Sequence, residues 1–135
     1  MSAYAEQLSV RTTKKEQALD VTERIAAVVR KSHVRIGLCG VAVMHTTAGV
    51  YLNENADPDV LVDVLAALRR AVPDDVEYRH AEGNAPAHIR TVLTGASATV
   101  PIAEGELALG TWQGIFLAEF DGPRERKVLV TVIGE

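Results

Sequence analysis

The chain has 135 residues, 47% of them apolar and 24% charged, and a formal net charge of −4. That length and balance describe one globular domain, residues 1–135, able to bury its own core. The acidic balance disfavours a general nucleic-acid binder, and an aromatic content of 4% leaves few platforms for stacking bases.

No apolar stretch approaches the roughly 18 residues that a spanning helix needs. The start, Met1 to Glu6, has no basic segment leading into an apolar one. The expectation is a cytoplasmic protein without a membrane partner. The single cysteine, Cys39, excludes an intrachain disulfide, and its apolar neighbours make it a buried, inert thiol.

Glu6 to Thr12 alternates, with Leu8 and Val10 on one face, and reads as a half-buried strand. Lys14 to Gln17 reads as a polar connection. Thr22 is placed to cap a helix over Glu23 to Lys31, where Ile25, Val28 and Val29 form one stripe. His33 falls in the exit loop, on the surface. Gly37 to His45 is almost continuously apolar, the pattern of a central strand covered on both faces. It ends in His45-Thr46-Thr47, three polar groups at a strand tip. Val50 to Leu52 reads as a short strand closed by Asn53-Glu54-Asn55.

Asp57-Pro58-Asp59 is a helix start: a cap, a proline at the first helical position and an acid for the dipole. The helix runs to Arg70 with Val60, Leu61, Val64, Leu65 and Leu68 inward. A third, short helix spans Ala85 to Leu93, with Asn84 as its N-cap, Gly95 as its C-cap and Ile89, Val92 and Leu93 as its apolar side. Ala98 to Ala103 and Glu106 to Leu109 form a hairpin, Gly114 to Phe120 a strand, and Lys127 to Ile133 a last strand. Strands outnumber helices and the last third is a meander, so the fold class is α+β.

Three histidines, His45, His80 and His88, are candidates for one polar pocket. Imidazoles hold zinc and related ions, but the spacing matches no established metal motif. The competing reading has His45 satisfying buried backbone groups and His80 in a loop. Glu54 is either solvated or, near His45, a general acid/base or a metal ligand. Thr46 and Thr47 supply hydroxyls to an anion or form a turn. Arg124 and Arg126 suit bidentate phosphate binding or a charged hairpin tip. Trp112 is assigned to the core or to an interface.

His45-Thr46-Thr47-Ala48-Gly49, Asn53-Glu54-Asn55-Ala56-Asp57-Pro58, His80-Ala81-Glu82-Gly83-Asn84-Ala85 with His88, Leu109-Gly110-Thr111-Trp112-Gln113 and Glu119-Phe120-Asp121-Gly122-Pro123-Arg124 with Arg126 follow in order. Together they resemble the YjbQ-like family, whose members are often called secondary thiamine-phosphate synthase enzymes. The resemblance implies a compact α+β domain of mixed and antiparallel sheets with two or three helices, assembled as a homotrimer. It implies a histidine-lined pocket at His45, His80, Asn84 and His88, with Glu54 and Arg126 as neighbours. The expected ligand is a small phosphorylated molecule or anion, and the expected cofactor a divalent metal, zinc or magnesium, on His45, His80 and His88. In that reading His45, His80, His88 and Glu54 are catalytic, and Thr46, Thr47, Asn84, Arg124 and Arg126 bind substrate.

Overall fold

The computed structural model describes all 135 residues. Eight strands and three helices follow in the order β1 (Ser2–Arg11), β2 (Gln17–Asp20), α1 (Thr22–Ser32), β3 (Gly37–Val43), β4 (Ala48–Glu54), α2 (Pro58–Ala71), α3 (Ala85–Thr94), β5 (Ser97–Ala103), β6 (Glu106–Leu107), β7 (Gln113–Glu119) and β8 (Glu125–Gly134). A five-stranded sheet has the order β1-β8-β3-β5-β6, and a three-stranded sheet the order β2-β7-β4. Every pairing is antiparallel. The α+β expectation holds, and its mixed-or-antiparallel alternative resolves to antiparallel.

The alternation of β8 shows how the large sheet is built. Val128, Val130 and Val132 are buried, while Lys127, Thr131 and Ile133 point outward. With Leu8, Val41, Val100 and Ile102 they meet α1 through Ile25, Val28 and Val29, and the small sheet through Ile115 and Leu117. β3 is central, as its apolar run implies, but only one face is buried. Cys39, Val41 and Val43 point inward, whereas Leu38 on the other face is 46% exposed. Glycine and alanine at positions 40 and 42 made the run look doubly covered. Cys39 is fully enclosed, and burial pushes its thiol up to about 11.

Thr22 is the first helical residue of α1, not its cap; its Oγ1 accepts the N–H of Ile115 and so ties the helix start to β7. β2 begins at Gln17, the last residue of the expected polar connection, and Gln17–Asp20 pairs with β7 from Glu119 to Phe116. In α2 the expected start is present, with Asp57 Oδ1 accepting the Asp59 N–H at 2.9 Å. The α3 face is reversed from expectation. Ala85, Pro86, Ala87, Arg90 and Thr91 are buried, while Ile89, Val92 and Leu93 are exposed.

Arg90 explains the reversal. It is 2% exposed, donates through Nη1 to Glu16 Oε1 at 2.9 Å, and through Nη2 to the Val72 carbonyl at 2.7 Å. A small-residue face allows close packing on β4, and the buried guanidinium fastens α3 to the segments before β2 and after α2.

Candidate functional site

The ends of β3, β7 and β8 and the start of α3 carry the polar residues that the sequence singles out. His45 lies two residues past the end of β3. Its Nε2 accepts the backbone N–H of Lys127 at 2.8 Å, and the Met44 N–H donates to the Lys127 carbonyl at 3.1 Å. The ring is thus pinned to β8. Burial, then the charges of Arg126, Arg124 and Lys127 against the opposing pull of Glu119, hold its pKa below the ordinary 6.5.

His45, Thr46, His88, Thr91, Val92, Gly95 and Ala96 line a cleft of about 400 Å³. None of the seven is acidic. His88 lies in the first turn of α3, its N–H directed to the Asn84 carbonyl at 3.4 Å. Its ring meets that of His80 edge-on, with centroids 5.0 Å apart. His80 lines a second cleft, of about 300 Å³, with Lys15, Asp74, Tyr78 and Gly83. The three histidines therefore form a chain of sites: one cleft between His45 and His88, another beyond His80.

Asn84 occupies the N-cap position of α3, but its side chain makes no capping bond. Its Nδ2 donates to Asp121 Oδ2 at 3.0 Å, and its Oδ1 is buried without a partner. Asp121 also accepts from Arg124 Nη2 at 3.1 Å. Asp121 reads in the sequence only as a turn residue; its acid between Phe120 and Gly122 was the available signal.

Arg126 does not face the clefts. It is 1% exposed and Glu119 is fully buried. Arg126 Nε donates to Glu119 Oε1 at 2.9 Å, while Nη2 bonds Glu119 Oε2, the Thr47 carbonyl and Thr47 Oγ1. The remaining Glu119 capacity is filled by Thr12 Oγ1 at 2.7 Å and the Asp121 N–H at 3.0 Å. The expectation that Arg126 and Thr47 contact substrate is corrected: both hold a buried network beneath the site. Arg124 is half exposed at its side chain and is the arginine of the pair open to solvent.

Glu54 is placed apart from the histidines. It ends β4, whereas His45 precedes the start of that strand, and Ala48 to Glu54 spans roughly 20 Å at about 3.3 Å per residue. Its Oε2 accepts the Asp57 N–H at 3.2 Å, and it lines a different cleft with Asp20 and Asn55. It is no general base or ligand beside His45 of the same chain. Trp112 is 63% exposed, so of its core-or-interface assignment the core half is corrected.

The metal expectation meets the same geometric test. No group of three or more His, Cys, Asp or Glu side chains is arranged to hold an ion. The Nε2 lone pair of His45 is committed to Lys127. A neutral imidazole has one lone pair for a metal, so a ligand role for His45 requires that bond to break. The donor set of one chain does not fit the ion.

A family model described as UPF0047 protein YjbQ-like matches residues 6–135. This chain belongs to the YjbQ-like family. A UPF0047 protein of Methanocaldococcus jannaschii is 45% identical over 126 residues, covering 93% of this chain and 91% of that one. The UPF0047 protein YugU of Bacillus subtilis is 41% identical over 128 residues, covering 94% and 97%. A crystal structure of a YbjQ-like protein of unknown function from Sulfolobus solfataricus P2 superposes with a TM-score of 0.95 at 34% identity, covering 98% of both chains. The YjbQ-like fold thus accounts for almost the whole chain. No helix of this family member is long and apolar enough to cross a membrane.

Proposed function

We propose that the His45–His88 cleft binds a small phosphorylated substrate and that the protein is an enzyme acting on it. The observation that carries this reading is a cleft with two histidines and two threonines in its wall and no carboxylate. An anion entering it meets hydrogen-bond donors and no like charge. His88 is the candidate general acid or base, because nothing in the chain commits its ring beyond the edge contact with His80. Arg124, turned toward solvent beside Asp121, is the candidate for a distal phosphate.

The specific reaction we propose is the formation of thiamine phosphate. A thiazole phosphate nitrogen displaces pyrophosphate from the methylene carbon of a pyrimidine pyrophosphate, so a C–N bond forms as a C–O bond breaks. Two clefts separated by the His80–His88 pair suit a reaction of two substrates. With both substrates, the purified protein is expected to release product, and His88→Ala to slow turnover by roughly 100-fold or more. Equal traces from wild type, His45→Ala and His88→Ala would end the enzyme reading. A phosphate ester that raises the melting temperature of the wild type alone, without turnover, would leave an anion-binding protein in its place.

We also propose a homotrimer. Ile89, Val92 and Leu93 form an exposed apolar stripe on α3, with Val92 81% exposed at the rim of the histidine cleft. Such a stripe beside a polar site suits coverage by another copy. Light scattering at micromolar concentration is expected to give three times the chain mass, and Val92→Asp to lower it. A wild-type mass equal to one chain refutes the assembly.

A further inference from the structure

The backbone N–H of Lys127 has a fixed proton, so the nitrogen of His45 that faces it must be the acceptor. In a neutral ring the proton then resides on Nδ1. The Nε2 contact is the ring's single hydrogen bond within the chain, so the imidazole has one donor left to offer, and the ring lines the cleft. A second donor lies just behind the same wall and is unused: Thr91 is 6% exposed, and its buried Oγ1 has no partner. Buried hydroxyls are ordinarily paired, so an orphan at a cleft wall marks a place where a ligand atom completes the site.

We propose that neutral His45, through Nδ1–H, and Thr91, through its hydroxyl, jointly donate to the oxygens of a phosphate group in this cleft. The idea rests on the anion reading of the cleft and deepens it, because it fixes which atom of His45 does the work. It assigns His45 a donor's role and denies it that of a metal ligand or proton acceptor. The lowered pKa agrees, since it keeps the ring neutral at pH 7 and so preserves the tautomer that Lys127 imposes. The uncommitted ring of His88 is left for proton transfer.

The test is nuclear magnetic resonance of protein carrying ¹⁵N-labelled histidine. Without ligand, His45 is expected to show a protonated Nδ1 and an unprotonated Nε2. Inorganic phosphate is expected to shift the Nδ1 signal of His45, and Thr91→Val to weaken phosphate binding roughly tenfold. Asparagine places its amide near the position of Nδ1, and glutamine near that of Nε2. His45→Asn is therefore expected to retain most phosphate affinity, and His45→Gln to lose it. Zinc alone is expected to leave the His45 signals in place. A protonated Nε2, or zinc binding that shifts His45 Nε2, overturns the inference. Phosphate that perturbs His88 but neither His45 Nδ1 nor Thr91 overturns it while sparing the anion site. Phosphate that perturbs no residue of the cleft removes both.

Discussion

Arg126→Leu is expected to cost about 3–5 kcal/mol, because it strands a fully buried carboxylate. Glu119 accepts from Arg126 on both oxygens, from Thr12 Oγ1 and from the Asp121 N–H. Only Arg126 brings a compensating charge. Against a total stability on the order of 5–15 kcal/mol, that loss brings the domain close to unfolding. Replacing both members by apolar residues is expected to cost less than the sum of the single replacements, since neither charge is then left alone.

The acid limb separates an ion-pair effect from a packing effect. Burial pushes the Glu119 carboxyl up, but hydrogen bonds from Arg126, the Asp121 N–H and Thr12 outweigh it and hold the pKa below the ordinary 4.5. With a folded-state pKa below the unfolded one, the contribution to stability is complete above the ordinary carboxylate range. It is lost as pH falls through the folded value. In Arg126→Leu the bonds from Thr12 and the Asp121 N–H still oppose desolvation, but the arginine's hydrogen bond and charge are gone, so the folded pKa rises. Acidification across that window then costs the variant less stability at this group than it costs the wild type. Urea unfolding from neutral pH to below 4.5 measures both slopes. Parallel slopes would show that Arg126 acts only by filling space.

The same network limits how much of the site the sequence discloses. Glu119 and Arg126 each sit at the junction of a strand with a polar turn, where a charged residue usually reaches water. Nothing local says that the two sheets close over them. Asp121 is hidden for a related reason: its partners Asn84 and Arg124 come from different elements.

Local signals served where they agreed with burial. Asp57-Pro58 marks the start of α2 because capping and proline geometry are decided within a few residues. The central place of β3 follows from its apolar run, although its outer face does not. Apolar periodicity misjudged α3, whose inner face relies on alanine, proline and a paired arginine instead of large aliphatic side chains. β2 has four residues and borrows its order from β7, so it leaves almost no pattern of its own. His45, His80 and His88 were legible as chemistry, but the nitrogen that His45 uses depends on a backbone N–H 82 positions away.

Gly49→Ala is expected to destabilise the domain by about 1–3 kcal/mol and to weaken phosphate binding with it. A Cβ on Gly49 would lie 2.4 Å from the Gly95 carbonyl oxygen and 3.3 Å from Thr94 Cγ2. The Gly95 oxygen cannot retreat freely, because it accepts the Val50 N–H at 3.0 Å. Relief must come from a shift of the α3 end relative to β4, and Gly95 and Ala96 are part of the cleft wall. Stability and binding should therefore fall together, with His45 still pinned to Lys127. Gly110→Ala is the control: its new methyl would meet only the end of the Gln113 side chain, at 3.3 Å, in an exposed loop. That change should stay within about 0.5 kcal/mol. Denaturant unfolding and phosphate titration of the two variants decide the matter. If Gly49→Ala loses stability but keeps full phosphate affinity, the cleft wall is softer than its packing implies, and the α3 terminus is not what shapes the anion site.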